Sequence, residues 1–215
     1  IIVESLAVGP MFKNGFVVAC PRTRQGVVID PGDEVEELLA TAVRARLTVD
    51  YILLTHAHFD HVTGVAAARR ALQVPVCLHR DDAFLYDRTV SMAQMFGIDV
   101  EPPPPIDRWY TADDCFQVGD LEIRPHHTPG HCPGGVCLEA RLRAADGTLS
   151  SPPDLFVGDT LFAGSIGRTD LPGGDYQTLI AAIQRVLLPF GDDARVHPGH
   201  GPSTTIGQER RTNPS

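Results

Sequence analysis

Short apolar runs broken by Gly, Pro and Asp turns fill the first half of the chain. Ile2–Val8 is apolar and β-branched and predicts a strand, and residues 15–20 and 26–29 predict two more, joined by a turn at 21–25. Asp30-Pro31-Gly32 ends the third. The helical spacing of Val35, Leu38, Leu39, Ala42 and Val43 predicts a helix over 34–46, with Asp33 as its cap. Residues 51–54 form a short buried strand. Thr63 can cap an alanine-rich helix over 64–72, and 74–78 is another strand. Residues 81–96 predict one or two helices of mixed polarity. Four prolines at 102–105 can be neither helix interior nor central strand, so they predict a stiff connector crossing one edge of the domain.

The second half alternates more tightly. Strands at 115–118 and 121–125 flank a hairpin turn, and 135–140, 155–157 and 194–196 are further strands. Residues 141–153 make a polar, hairpin-like excursion. Leu179, Ala182, Ile183, Val186 and Leu187 stripe a helix over 179–188, and 205–210 adds a final helical turn or two. This order is neither a simple βα alternation nor an all-β chain. Two packed sheets with helices outside account for it, an α+β arrangement over a single domain spanning 1–215.

Composition narrows the class. The 215 residues are enough for a sizeable core, and 43% hydrophobic with 21% charged residues is ordinary for a globular chain. The formal net charge is −9, and Lys13 is the only lysine. No basic block marks a nucleic-acid partner, and no 18-residue apolar run marks a membrane span. Five cysteines at wide spacing do not form a disulfide framework or a C-x-x-C site. A reducing cytoplasm is the expected compartment. Cys20, Cys77, Cys115 and Cys137 read as small buried side chains in strands, and Cys132 as a packed thiol.

The chemistry is concentrated in His56-Ala57-His58-Phe59-Asp60-His61, directly after the apolar 51–54 run. Three imidazoles and a carboxylate in six residues suit a borderline divalent metal. Three later stretches repeat the pattern of apolar run, Gly or Pro turn and ligand: His126 to His131, Gly158-Asp159-Thr160, and His197-Pro198-Gly199-His200. Strand ends gathered at one sheet edge could supply all of them to one cavity. The count favours two metals. His56, His58 and His131 serve the first, Asp60, His61 and His200 the second, and Asp159 bridges them. Zn is the first expectation, with Fe or Mn tolerated by the same ligands. His126, His127 and His197 read equally as groups that orient a ligand and as packing residues, and His79 as an ordinary strand-end histidine. Phe84, Tyr86, Met92, Met95, Phe96 and Trp109 read either as core or as an apolar wall over the site.

The H-x-H-x-D-H run at 56–61 resembles the signature of the metallo-β-lactamase superfamily. Thr128-Pro129-Gly130-His131, Gly158-Asp159-Thr160-Leu161-Phe162, the 164–170 stretch and Pro198-Gly199-His200-Gly201 resemble its glyoxalase II branch, and more closely the compact single-domain hydrolases of that branch. The resemblance covers essentially the whole chain. It implies an αββα sandwich with metals at one edge, and the same seven ligands in the same two groups. Full-length glyoxalase II carries a C-terminal helical domain that grips glutathione. This chain, ending about ten residues after its last candidate ligand loop, is expected to lack it. Gly201-Pro202-Ser203 stands where the family has a tyrosine. Arg168 stands where a family lysine helps hold the glutathione glycyl carboxylate, and is a substrate-binding candidate on that ground. An ion pair with Asp170 is the other reading of Arg168.

The reaction implied is hydrolysis of a small-molecule thioester of the S-lactoylglutathione type. Two metals about 3.5–4 Å apart can share a hydroxide that attacks the carbonyl, with Asp60 and Asp159 as the catalytic carboxylates. The thiolate leaves readily, a thiol pKa lying near about 8.5. The alternative within the same superfamily is a mononuclear iron persulfide dioxygenase, with Fe on His56, His131 and Asp159. β-Lactam hydrolysis is disfavoured because those enzymes typically lack an aspartate at the position of Asp159. Nucleic-acid phosphodiester cleavage is disfavoured for want of positive surface. A non-catalytic metal-binding module predicts a closed site without hydrolysis. Oligomeric state is left open.

Overall fold

The computed structural model describes residues 1–215. In chain order the elements are β1 Ile2–Val8, β2 Lys13–Ala19, β3 Gln25–Ile29, α1 Val35–Arg44, β4 Thr48–Leu53, α2 Val65–Leu72, β5 Val76–Leu78, α3 Ala83–Asp87, α4 Thr89–Met95 and β6 Arg108–Trp109. There follow β7 Phe116–Val118, β8 Leu121–His127, β9 Val136–Leu142, β10 Asp154–Gly158, β11 Leu161–Phe162, β12 Ser165–Ile166, α5 Tyr176–Ala182, β13 Arg195–Pro198, β14 Thr204–Thr205 and α6 Ile206–Thr212.

Two six-stranded sheets carry the fold, in the orders β1-β2-β3-β4-β5-β6 and β14-β13-β10-β9-β8-β7. The first is antiparallel from β1 to β3 and parallel from β3 to β6. The second is antiparallel from β7 to β10, and β13 then joins β10 in parallel.

Alternation along the strands explains the layers. In β2 and β3, Phe16, Val18, Val27 and Ile29 face the other sheet and pack with Phe116, Ile123, Leu138 and Phe156. Their neighbours Val17 and Val28 face outward and pack under Val35, Leu38 and Ala42 of α1 and Val65 and Ala68 of α2. On the far side Leu155, Val157 and Val196 are covered by Leu179, Ile183 and Leu187, with Ile206 of α6. Strands buried on both faces read as unbroken apolar runs, which is what the sequence has. The result is an αββα sandwich, as the element order predicts.

Several expectations are corrected. Asp33 does not cap α1: Glu34 precedes it in a left-handed conformation and no side chain caps it. Nor does Thr63 cap α2, which starts after Gly64, while Thr63 Oγ1 has no hydrogen-bond partner. Val43 is 75% exposed, because the buried stripe is centred on Val35, Leu38 and Ala42 and position 43 falls about 100° off it. The 179–188 helix instead begins at Tyr176 behind an Asp175 cap and loosens after Ala182 into a π turn and a 3-10 turn. The proline connector leads to β6, an unforeseen edge strand, and is tied down by Tyr86 Oη donating to Pro104 O at 2.5 Å. Cys115 lies half-buried outside its strand, and all five cysteines are free.

Candidate metal centre

All seven candidate ligands sit just beyond the C-terminal ends of strands. β4 ends at Leu53 and hands over to the loop with His56, His58, Asp60 and His61, the last two in a single 3-10 turn. His131 lies in the loop between β8 and β9, Asp159 directly follows β10, and His200 follows β13. A strand that stops abruptly leaves its next side chains unpaired at the sheet edge, and one strand of the first sheet and three of the second stop at the same edge.

The donor atoms cluster in two groups, His56 with His58 and His131, and Asp60 with His61 and His200. Asp159 lies between them. Its Oδ2 is 3.9 Å from His56 Nε2, 3.6 Å from His131 Nε2 and 3.4 Å from His200 Nε2, and its Oδ1 is 3.3 Å from His61 Nε2. Asp60 Oδ2 is 3.1 Å from His200 Nε2 and 3.6 Å from His61 Nε2. Two atoms each about 2.1 Å from one tetrahedral ion lie about 3.4 Å apart, so these separations are those of ligands around shared ions. His58 Nδ1 and His131 Nε2 are closer, at a hydrogen-bonding 2.8 Å. Buried donors left without partners supply the second sign of fit. His56 Nε2 has none within the protein, and His61 Nε2 and Asp159 Oδ1 have only each other at 3.3 Å, an arrangement a cation would complete. Gly199 is required beside them, since a Cβ there would collide with Asp159 Oδ1 and His61. The donor set fits a pair of borderline divalent cations.

A second layer aims the rings. His61 Nδ1 donates to Asp30 Oδ2 at 2.9 Å, His131 Nδ1 to the Arg168 carbonyl at 2.8 Å and His200 Nδ1 to the Met11 carbonyl at 3.0 Å. His56 Nδ1 donates to Thr55 Oγ1 at 3.0 Å, and Thr55 Oγ1 donates onward to Asp30 Oδ2 at 2.6 Å. Each bond turns Nε2 inward and fixes the tautomer. Asp30 therefore sets two histidines at once. Asp82, fully buried, accepts from Ala57 N at 2.9 Å and Gly134 N at 2.6 Å and so ties the 56–61 loop to the His131 loop. Cys132 Sγ also donates to Asp82 at 3.2 Å, which makes it a packed thiol rather than a site group. Sequence reading missed Asp30, Thr55 and Asp82. The signal available was Asp30-Pro31-Gly32 at a strand end, a ligand-like pattern like the others.

A family model described as the metallo-beta-lactamase superfamily matches residues 8–200. The chain belongs to the metallo-β-lactamase superfamily. It is 38% identical to the hydroxyacylglutathione hydrolase GloC of Haemophilus influenzae over 197 residues, covering 89% of this chain and 87% of that protein. The crystal structure of TTHA1623 in a di-iron-bound form superposes with a TM-score of 0.81 at 41% identity, covering 99% of both chains. That of the BLEG-1 B3 metallo-beta-lactamase gives 0.84 at 36% identity, covering 99% of this chain and 98% of that one. The superfamily fold and the histidine and carboxylate clusters together support a metal-dependent hydrolase with a binuclear site compatible with Zn, Fe or Mn.

The two halves of this site differ electrostatically. Burial pushes His56 well below the ordinary histidine value and His58 down to about 4. Burial also opposes charge on His61, but Asp159 and Asp60 outweigh it and raise it to about 10. His200 rises to about 9, burial again being outweighed by Asp159 and Asp60. In the metal-free protein these two charged rings stabilise the fold fully below pH about 6.5, and that contribution is lost as pH rises through 9 and 10. A cation entering beside Asp60 must displace both protons at neutral pH. Its affinity is therefore expected to rise about a hundredfold per pH unit between pH 6 and 8. Calorimetric metal titration at three pH values checks this, and a pH-independent affinity contradicts it.

The remaining candidates separate cleanly. Arg168 lies on the cavity wall, but its guanidinium forms a two-point ion pair with Asp170 at 2.6 and 2.8 Å, the alternative reading of that residue. His126 pairs with Glu139 at 2.7 Å and His127 donates to the Pro133 carbonyl at 2.8 Å, so neither orients a ligand. His197 bridges Asp154 at 2.8 Å and Ser203, on the final ligand loop, at 2.9 Å. A larger cavity of about 330 Å³ lies beside His79 and His127. Those two rings stack at 4.2 Å and 8°, so their in-plane lone pairs run parallel and cannot meet at one ion. Of the apolar wall candidates, Tyr86 is core, Phe84 and Trp109 pack against it, Met95 points to solvent, and Met92 and Phe96 line the metal-site cavity.

Proposed function

We propose that this chain, working as one domain over 1–215, is a dinuclear metal-dependent thioester hydrolase of the hydroxyacylglutathione type. The observation that carries the proposal is the Asp159 carboxylate, set within 4 Å of histidines from both donor groups. Asp60, His61 and His200 form a second donor group beside the same carboxylate, which favours two metals over one. His56, His58 and His131 would hold one ion, Asp60, His61 and His200 the other, and Asp159 would bridge. Similarity to the H. influenzae hydrolase and to the di-iron TTHA1623 supports both the reaction class and the metal count.

When bound, a metal pair supplies an acidified water and Lewis-acid polarisation of a carbonyl oxygen. The protein does the rest. Asp60 and Asp159 line the cavity, where Asp60, beside His200, would orient the attacking water and Asp159 would hold the two donor groups together. Asp30, through His61 and Thr55, keeps both donor groups in register. A thiolate leaves without a general acid, because its pKa, about 8.5, is already low. Arg168 can turn to a substrate carboxylate by leaving Asp170, since an exposed ion pair is worth only about 0–1 kcal/mol. Five free cysteines suit a reducing compartment, and we place the chain in the cytoplasm. No helix is long and apolar enough to cross a membrane.

Metal analysis and steady-state kinetics on one sample test this reading. About two metals per chain with saturable thioester turnover are expected. One iron per chain with oxygen uptake on a persulfide, or turnover of a β-lactam and no thioester, overturns it.

A further inference from the structure

The cavity that contains the candidate ligands has an unequal lining. Beside the candidate ligands His58, Asp60, His131, Asp159 and His200 it is lined by apolar side chains, among them Met11, Phe59, Leu85, Met92, Phe96 and Leu171. Its volume is about 160 Å³. A cavity of about 150 Å³ accommodates a benzene ring, so this space fits an aryl group or an unbranched chain of similar bulk. The wall is fixed where it is most open: Phe96 is 57% exposed, yet its ring stacks on that of buried Phe59 at 5.1 Å. Methionines at 11 and 92 add an adaptable surface. Arg168, also on the lining, is held by Asp170. Isolated exposed apolar residues need no explanation, but here Met11 and Phe96 converge on the same cavity as the carboxylates.

We infer that the cavity favours thioesters carrying an uncharged apolar substituent of up to about six carbons next to the scissile bond. The inference rests on the thioesterase reading and refines its substrate class. The methionine and phenylalanine side chains of the lining offer such a substituent contact area and no hydrogen-bonding group. An alkyl or aryl group would bury its surface against the same side chains.

The test uses the metal-loaded full chain and two substrate series. In one, the acyl group runs from acetyl through butyryl, hexanoyl and phenylacetyl to lactoyl on one small uncharged thiol. In the other, the acetyl group is kept and the thiol is lengthened. In one of the two series kcat/KM is expected to rise about fourfold per methylene, levelling near six carbons, and that series identifies which end of the substrate meets the wall. Met92→Trp, which fills the space, should lower the hexanoyl-to-acetyl ratio at least tenfold in the responding series. Phe96→Ser, at an exposed position that does not threaten folding, should lower it several-fold. Calorimetric binding of the free carboxylates and thiols gives a readout independent of turnover, with affinity expected to climb along the same series. Thioester turnover without dependence on length in either series, or dependence that neither variant changes, overturns the inference and leaves the hydrolase reading standing. Absent turnover with tail-dependent binding does the reverse. Absent turnover with flat binding removes both.

Discussion

Asp159→Ala is expected to lower kcat for thioester hydrolysis by about 10³-fold and to leave roughly one metal per folded chain in place of two. Its two oxygens face His61 on one side and His56, His131 and His200 on the other, at 3.3–3.9 Å. Asp60 approaches only His61 and His200, at 3.6 and 3.1 Å, so it cannot replace the link. On the proposed reading, alanine at 159 removes the link between the two donor groups and leaves each to bind alone. It also removes a negative charge that keeps His61 and His200 protonated, so the loss is partly one of charge balance. Metal analysis, circular dichroism and kinetics on the same preparation check it. A variant that retained two metals and wild-type turnover would contradict the bridging role.

The second large effect is expected at a residue that touches no candidate cation. Asp30→Ala should destabilise the protein by about 3–5 kcal/mol, the cost of breaking a buried, hydrogen-bonded charge. Its carboxylate accepts from Thr55 N at 2.8 Å, Thr55 Oγ1 at 2.6 Å and His61 Nδ1 at 2.9 Å, and nothing else is placed to take over those donors. Lys13 aggravates the loss. It is 2% exposed, donates its ammonium to the Asp30 carbonyl, and has Asp30 as its leading opposite charge. Asp30→Asn keeps the shape and some of the hydrogen bonds. Its stability cost should be smaller, while metal affinity beside His61 still falls about 10- to 100-fold because the ring loses its charged anchor. Denaturant unfolding and metal titration of the two variants separate the structural part from the positioning part. Equal stability of Asp30→Ala and the parent would refute the argument.

Much of this architecture can be read without coordinates. Residues 15–20, 26–29 and 51–54 are apolar without a break, and they became strands buried on both faces. The histidines and aspartates of 56–61, 131, 159 and 200 stand out because few other roles ask for imidazoles directly after a strand. The structure sets five of the seven on one cavity, His58, Asp60, His131, Asp159 and His200, and buries His56 and His61 against them. Other features were invisible. β6 and β14 are two-residue strands that exist only because β5 and β13 offer them an edge. Asp33 and Thr63 have the chemistry of helix caps, yet neither caps a helix.

The division has a physical basis. Ligand chemistry and side-chain alternation are properties of a residue and its near neighbours, so seven candidate donors and an αββα order follow from adjacency along the chain. Which acid among the 27 present orients a histidine depends on contacts across the fold. Asp30 meets His61 across 31 positions, Asp82 meets Gly134 across 52, and Met11 meets His200 across 189. The apolar lining of the cavity is likewise gathered from separate elements. Arg168 shows the same limit: its identity fits carboxylate recognition, but the nearby Asp170 holds its guanidinium, and only the folded loop reveals that its carbonyl is what holds His131.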